Sequence, residues 1–283
     1  MSTRIPPLLE PYLALPPETS LIVLTSILGA STNWLVLRYL HTFLTSSPKP
    51  DSAPSSLDDP DKEDVSVLLV SFLRDYPFWR DGAGRLGVDL EGAGRKGRFV
   101  FVDGLTGLFL PPTGTSTQEK PSPWQVRLGS PRLEDVRRTL HAAMDGMVAR
   151  GAGKVVLVVD QLDLLLATAG PGEEGLGLGV KEMMLDLREK THATIMTLSA
   201  DEPLVASQTT RLEKEHAALV LSAAHEAEIV LSLRLLDTGT AKDVSGVVRI
   251  TRGGGESSRA VEEKEYLYHV LGDGGVRVFE RGQ

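Results

Sequence analysis

Cysteine is absent from the 283-residue chain, asparagine occurs once, and no lysine precedes Lys49. The absence of Cys excludes a disulfide scaffold, thiol chemistry and any Cys-ligated zinc or iron–sulfur site. The single asparagine, Asn33, is followed by Trp and Leu, so no N-glycosylation acceptor is present.

Neither a secretory signal nor a membrane span is evident in the sequence. Four prolines fall within the first sixteen residues, which fits neither an apolar signal core nor an amphipathic transit helix. Residues 21–40 reach the length of about 20 residues that a spanning helix needs. However, Gly-Ala-Ser-Thr-Asn interrupts this stretch and Arg38 follows, so a strand, a turn and a helix explain it better. We expect an intracellular soluble protein.

An excess of basic charge is missing as well. The chain carries 30 Lys and Arg against 38 Asp and Glu, a formal net charge of -8, and its pI is about 5.3. This charge balance argues against a protein whose whole surface binds nucleic acid, but it is compatible with a local basic patch. Its 41% hydrophobic and 24% charged residues are typical of globular proteins. We predict a single domain over residues 1–283.

Apolar runs alternate with helical patterns through the first two thirds of the chain. The sequence predicts strands at 21–24, 65–72, 99–102, 155–159 and 193–198, and helices at 34–44, 132–150 and 180–190. The last third is rich in strands, with apolar segments at 217–223, 228–237, 246–251 and 266–280. The last segment contains Gly-Asp-Gly-Gly, a hairpin signal. The expected fold is α/β, with a central, largely parallel sheet flanked by helices and antiparallel strands added in the C-terminal third.

Three segments have the composition of loops. Residues 46–64 are rich in Pro, Ser and Asp and have almost nothing to bury, which predicts a surface loop or disordered insertion. We also expect flexible loops at the Gly-rich residues 82–98 and at residues 111–123.

A strand, a turn and a helix near the N-terminus, with a later strand ending in Asp160, form the layout of a P-loop nucleotide-binding domain. A working P-loop needs glycines for close phosphate approach, a Lys for the β/γ oxygens and a Ser or Thr for Mg²⁺. The turn here has one Gly and no Lys, and Gly-Lys-Ser or Gly-Lys-Thr occurs nowhere. We therefore expect a degenerate phosphate loop without autonomous ATP hydrolysis. Its position is Gly29, Ala30, Ser31, Thr32 and Asn33.

Two interpretations of Asp160 stay open. It occupies the place of the carboxylate that holds Mg²⁺ in an active relative. Alternatively, an Asp after a buried strand caps the next turn of the chain, as Asp103 after Phe-Val-Phe-Val illustrates.

The six His residues are scattered with no pair at i,i+3 or i,i+4, so no metal site is predicted. No Gly-x-Ser-x-Gly motif occurs, and no catalytic residue is predicted.

The Gly-rich segment also carries a cluster of cations. Glycines would allow these side chains to follow a phosphate backbone closely. Asp89 and Glu91 lie among them, and a charged loop is often only solvated. The candidate RNA-contacting residues are Arg85, Arg95, Lys96 and Arg98.

Four segments together resemble subunit six of the Elongator complex in its fungal form. They are TSLIVLTSILGASTNWLVLRYL, VSVLLVSFLRDYPFW, FVFVDGLTGLF and KVVLVVDQLDLLLA, which occur in the family's order. The pairing of LGASTNWLVLRYL with FLRDYPFW is the more specific part. The resemblance covers most of the chain.

The resemblance implies a RecA-like fold without the P-loop Lys, which agrees with residues 25–33. It also implies assembly with subunits four and five into a hexameric ring that contains two copies of each. That ring binds tRNA and supports modification of the wobble uridine (U34) at its 5-position. No cofactor is implied, and the expected location is the cytoplasm, with the nucleus as a second one.

Two other functions remain open from the sequence. The first is a RecA/KaiC-like ATPase with an atypical site that uses Asp160 and an Arg from a neighbour. The second is an interaction scaffold unrelated to RNA.

Overall fold

Ten strands form one continuous sheet in the computed structural model, which describes residues 5–45, 65–109, 122–168, 175–236, 239, 241–255 and 261–280. The strands are β1 (Ser20–Ser26), β2 (Val65–Ser71), β3 (Phe99–Asp103), β4 (Gln125–Arg127), β5 (Lys154–Asp160), β6 (Ala193–Ser199), β7 (Ile229–Arg234), β8 (Gly246–Arg252), β9 (Lys264–Val270) and β10 (Val276–Phe279). The predicted insertion at 46–64 lies outside the described residues, as do residues 111–121 of the second predicted loop.

Helices connect most of the parallel strands. They are α1 (Glu10–Leu13), α2 (Asn33–Thr45), α3 (Tyr76–Arg85), α4 (Leu90–Arg95), α5 (Thr106–Phe109), α6 (Leu133–Ala149), α7 (Leu164–Thr168), α8 (Leu176–Arg188), α9 (Glu202–Val205) and α10 (Arg211–Glu226). No helix within the described ranges is long and apolar enough to cross a membrane.

The strand order across the sheet is β10-β9-β8-β7-β1-β6-β5-β2-β3-β4. All pairs from β7 to β4 are parallel, whereas β8, β9 and β10 are added in antiparallel pairs beyond β7. This arrangement confirms the predicted fold class, including the hairpin of β9 and β10. Strand β1 lies in the middle of the sheet, next to β6, which in turn pairs with β5. Because these three strands are parallel, the turns that follow them lie at the same edge of the sheet.

The central strands are buried on both faces because helices cover both sides of the sheet. Every residue of β1 and β2 is buried, and so is every residue of β3. Helix α2 buries nine of its thirteen residues, which explains why its sequence is apolar nearly all round.

The prediction of a flexible loop over residues 82–98 is wrong. Residues 76–85 and 90–95 form α3 and α4, each with an Asp N-cap: Asp75 accepts from the N–H of Phe78 at 3.1 Å and Asp89 from that of Gly92 at 2.9 Å. Gly94 serves close packing, because a Cβ there would overlap Cδ2 of the buried Trp124.

Residues 217–223 also differ from expectation. The apolar pattern groups them with the strand-rich C-terminal third, but they lie inside α10. A capping box begins this helix, in which Thr210 accepts from the N–H of Glu213 while the Glu213 carboxylate accepts from the N–H of Thr210.

Candidate functional site

Several main-chain N–H groups of the turn between β1 and α2 already have acceptors within the protein. The N–H of Leu28 donates to the Asp201 carboxylate at 2.7 Å, and that of Ala30 donates to the Ile27 carbonyl at 2.9 Å. The N–H of Asn33 donates to Oγ of Ser31 at 3.2 Å. In a working phosphate loop such donors face the nucleotide. Here a carboxylate and local acceptors take three of them.

Side chains at the tip of the turn are apolar rather than cationic. Leu28 is 86% exposed. Gly29 has φ +91°, and a Cβ on it would lie 3.2 Å from Cδ1 of Leu235. The left-handed backbone explains the glycine at this position without any phosphate contact.

Asp160 lies at the end of β5 with no exposed surface. Its Oδ2 accepts from the Ser71 hydroxyl at 2.8 Å and its Oδ1 from the Thr197 hydroxyl at 3.2 Å. Burial raises the pKa of Asp160 to about 6, against the lowering effect of these hydrogen bonds. Both carboxylate oxygens therefore join β5 to its neighbours β2 and β6.

A second polar group lies beside Asp160. Gln161, with φ +56°, donates its N–H to Oγ1 of Thr197 at 2.8 Å and accepts from the Ser199 hydroxyl at 3.0 Å. Burial also raises the pKa of Asp163, whose Oδ2 lies 4.0 Å from Nδ1 of His216. Gln161 therefore joins the end of β5 to β6, and Asp163 lies beside a histidine of α10.

A histidine also belongs to this network. His216 is buried, and its Nε2 lies 2.8 Å from the Ser199 carbonyl oxygen, so that nitrogen donates a hydrogen bond to it. Within the described residues, no group of three or more His, Cys, Asp or Glu could hold a metal ion. Asp103 follows the capping interpretation, since its carboxylate accepts from the N–H groups of Leu105 and Thr106.

Sequence reasoning missed Ser71, Thr197, Asp163 and His216. Ser71 and Thr197 stand inside the apolar runs Val-Ser-Val-Leu-Leu-Val-Ser and Ala-Thr-Ile-Met-Thr-Leu-Ser. A buried hydroxyl in such a run needs a partner, and this is the signal that could have found them.

Arg98 is a structural residue and does not belong with the other cations. Its guanidinium donates to the carbonyl oxygens of Val65 at 3.1 Å, Phe43 at 3.2 Å and Leu44 at 3.4 Å. It therefore caps the C-terminal end of α2 and holds the start of β2. The RNA contact of Arg98 stays a prediction, and these hydrogen bonds give its guanidinium a structural role in addition.

The other three candidate cations are exposed but do not form one cluster. Arg95 and Lys96 adjoin at the C-terminal end of α4, where Arg95 pairs with Glu91 at 3.8 Å. The Arg85 side chain lies instead near the turn between β9 and β10, with its Cδ 3.5 Å from where a Cβ on Gly274 would be.

Arg95 lines an open groove beside the edge strand β4. This β4 groove has a volume of about 810 Å³ and is walled by α3, α4 and the end of α6. Four arginines line it, three of which sequence reasoning missed. They are Arg95, which was predicted, and Arg80, Arg127 and Arg150.

A family model and several curated proteins that resemble this chain indicate the same family. The family model for elongation complex protein 6 matches residues 62–272. Elongator complex protein 6 of Xenopus laevis is 27% identical over 227 residues, which cover 76% of this chain and 80% of that protein. The proteins of that name from Rattus norvegicus and Homo sapiens are each 26% identical, over 78% of this chain and 82% of each relative. The fungal affiliation stays a prediction.

Solved structures support the fold. A KaiC-like protein from the archaeon Pyrococcus horikoshii superimposes with a TM-score of 0.58 at 16% identity, covering 98% of this chain and 97% of that one. This likeness concerns the RecA-like architecture alone. Because the family model spans most of the sequence, the chain belongs to the elongation complex protein 6 family.

Proposed function

We propose that this chain is a non-catalytic RecA-like subunit of the Elongator complex. It assembles with subunits four and five into a hexameric ring with two copies of each. The ring binds tRNA and supports 5-carboxymethyl-type modification of the wobble uridine U34. Family membership supports the place in the complex, and the expected location is the cytoplasm, with the nucleus as a second one.

The hydrogen bond from Leu28 to Asp201 carries the non-catalytic part of the proposal. A phosphate at this turn would have to displace a carboxylate from its donor and then lie beside that negative charge. Two like charges about 4 Å apart repel by about 4 kcal/mol near a protein surface. No Lys in the turn offsets this repulsion.

Asp160 supports the same conclusion. Its two oxygens accept from Ser71 and Thr197 and have no exposed surface, so a Mg²⁺ ion would require these bonds to break. A non-catalytic subunit would retain this hydrogen-bond network because the network joins three strands of the sheet.

Titration with Mg-ATP tests the non-catalytic role. We expect neither binding heat nor hydrolysis from the isolated chain. Asp160→Asn preserves the volume of the side chain while removing its charge, and serves as the comparison. Micromolar Mg-ATP affinity, with turnover that this substitution abolishes, would establish the atypical ATPase instead.

Co-expression with subunits four and five tests the assembly. Native mass spectrometry should find a hexamer that contains two copies of each chain. A chain that remains monomeric, or forms only a binary pair with either subunit, contradicts the ring.

Binding of tRNA by the assembled ring tests the RNA role. Arg95 and Lys96 are the remaining adjacent candidates, so Arg95→Ala with Lys96→Ala should weaken binding several-fold and reduce its salt dependence. The control is Lys214→Ala with Arg277→Ala, two exposed cations on α10 and β10. A wild-type ring with no salt-dependent tRNA binding would favour the RNA-independent scaffold.

A further inference from the structure

We propose that the β4 groove binds an extended acidic segment of a protein partner, which adds to β4 as an eleventh strand. This interaction surface shares Arg95 with the proposed RNA contacts, but the inference does not depend on them. Three features of the groove carry the inference.

The first feature is the free main chain of β4. Phe101 donates its N–H to the Trp124 carbonyl, and Leu128 donates its N–H to the Asp103 carbonyl, so the residues that face β3 are 124, 126 and 128. Because successive residues of a strand face opposite sides, the N–H of Arg127 and the carbonyls of Gln125 and Arg127 face away from the sheet. Within the described residues β4 is the last strand at this end.

At the opposite end of the sheet, the last strand, β10, contacts another part of the chain. The N-terminal turn at Pro7–Leu9 packs against β10, and Leu9 is completely buried. An edge strand with open main-chain groups is a template for another strand, and proteins usually cover or blunt it. Among the described residues no strand lies beyond β4, so a partner strand can add at this edge.

The second feature is the charge of the groove. Arg80 pairs with Asp81 and Arg95 with Glu91, whereas Arg127 and Arg150 are exposed and form no ion pair with any described residue. Arg150 lies beside Gly97, which also lines the groove. Carboxylates on a strand added to β4 would meet these unpaired cations.

The third feature separates a peptide from a nucleic acid. Of the aromatic rings that line the groove, Trp124 is only 7% and Phe101 only 1% exposed, and the half-buried Tyr76 packs against both, so the groove offers little ring face for a base to stack on. Three carboxylates also line the groove, and each already has a hydrogen-bond or ion-pair partner within the chain. They are Asp75, Glu91 and Asp103.

Fluorescence anisotropy with the full chain tests the proposal. The probe is a labelled (Glu-Glu-Val)4 peptide, which places carboxylates on both faces of an added strand. The comparison probes are (Lys-Lys-Val)4 and a twelve-residue oligouridylate. We expect salt-dependent binding of the acidic peptide only. Tighter binding of the oligouridylate overturns the proposal in favour of a nucleic-acid groove, and failure of the acidic peptide to bind overturns it outright.

Charge reversal locates the site. Arg127→Glu with Arg150→Glu should reduce the affinity for the acidic peptide at least ten-fold. The matched reversal of Lys214 and Arg277 to Glu, on α10 and at the opposite end of the sheet, should change it less than two-fold. Equal losses in the two pairs would show unspecific attraction and overturn the proposal. Arg95 and Lys96 stay unchanged, so a failed tRNA experiment and a failed peptide experiment remain distinguishable.

The main-chain contribution is tested at a single residue. Arg127→Ala removes the cation, whereas Arg127→Pro also removes the outward N–H and leaves the bonds to β3 intact. Circular dichroism verifies that both variants fold. Arg127→Pro should bind the acidic peptide several-fold more weakly than Arg127→Ala, and equal affinities would rule out strand addition.

Discussion

Ser71 donates its hydroxyl hydrogen to Asp160 at 2.8 Å and so joins the end of β2 to the end of β5. The Thr197 hydroxyl joins the same carboxylate to β6. In an active P-loop enzyme the corresponding carboxylate holds a metal ion, whereas here its hydrogen bonds connect three strands. The proposed loss of nucleotide chemistry therefore has a structural counterpart, since both oxygens of Asp160 are paired with hydroxyl groups of the neighbouring strands.

Asp160→Asn should reduce the pH dependence of stability. The folded-state pKa of about 6 lies above the ordinary 3.8, so the stability contribution is present at low pH and is lost as the pH rises through about 6. Ionisation of the buried carboxyl costs up to about 3 kcal/mol at pH 7.5, and about 1 kcal/mol of this returns at pH 5.

Urea denaturation at pH 7.5 and pH 5 measures this effect. The unfolding free energy of Asp160→Asn relative to the wild type should be higher at pH 7.5 than at pH 5, because only the wild type has to ionise a buried carboxyl. A difference that stays constant between the two pH values contradicts a buried carboxyl with a raised pKa.

Arg98→Ala should destabilise the fold, whereas the same substitution of an exposed cation without structural contacts should not. Arg98 donates to carbonyls at the end of α2 and the start of β2, and hydrogen bonds from a charged donor are worth about 1.5–3 kcal/mol. Thermal unfolding of the isolated chain measures the loss. Lys96→Ala is the control and should stay within about 0.5 kcal/mol, because Lys96 is exposed. An Arg98→Ala variant as stable as Lys96→Ala would contradict the capping role.

Gly94→Ala and Gly84→Ala should change stability in opposite directions. Both glycines lie in helices, where Ala is favoured over Gly by about 0.5–1 kcal/mol. A Cβ on Gly84 meets nothing within 4 Å, so this variant should gain that amount. A Cβ on Gly94 overlaps the Trp124 ring, and overpacking of this kind costs about 1–3 kcal/mol. Chemical denaturation of both variants measures the contrast, and equal stabilities would contradict the close approach of α4 to Trp124.

The same two helices show where sequence-based reasoning stopped. Buried parallel strands were predictable because continuous runs of Val, Leu and Ile leave few alternatives. Glycine content, however, gave the wrong prediction for 82–98, since glycine serves both flexibility and close packing. The helix α10 was missed because Ala-Ala-Leu-Val-Leu-Ser-Ala is too short an apolar run to distinguish a helix from a strand. Its capping box, Thr210 with Glu213, was the better signal.

The candidate site was less predictable than the fold for a topological reason. Ser71, Asp160 and Thr197 meet only because β2, β5 and β6 are neighbours, an order that does not follow the chain. The absence of Lys from the turn after β1 could be read from the sequence, since a missing residue type needs no tertiary information. The partner of the turn, Asp201, lies 173 residues away from Leu28 and was not predictable.

Substitutions of Asp201 separate the carboxylate from the missing Lys as causes of the proposed inactivity. Asp201→Asn keeps an acceptor for the Leu28 N–H but removes the charge, and Asp201→Ala removes both. Amide hydrogen exchange at Leu28 should accelerate in the Ala variant and remain slow in the Asn variant. Mg-ATP should bind to neither, because the turn still has no cation to balance the phosphates. Millimolar or tighter binding that appears only in these two variants would show that the turn retains phosphate-binding geometry and that Asp201 alone blocks it.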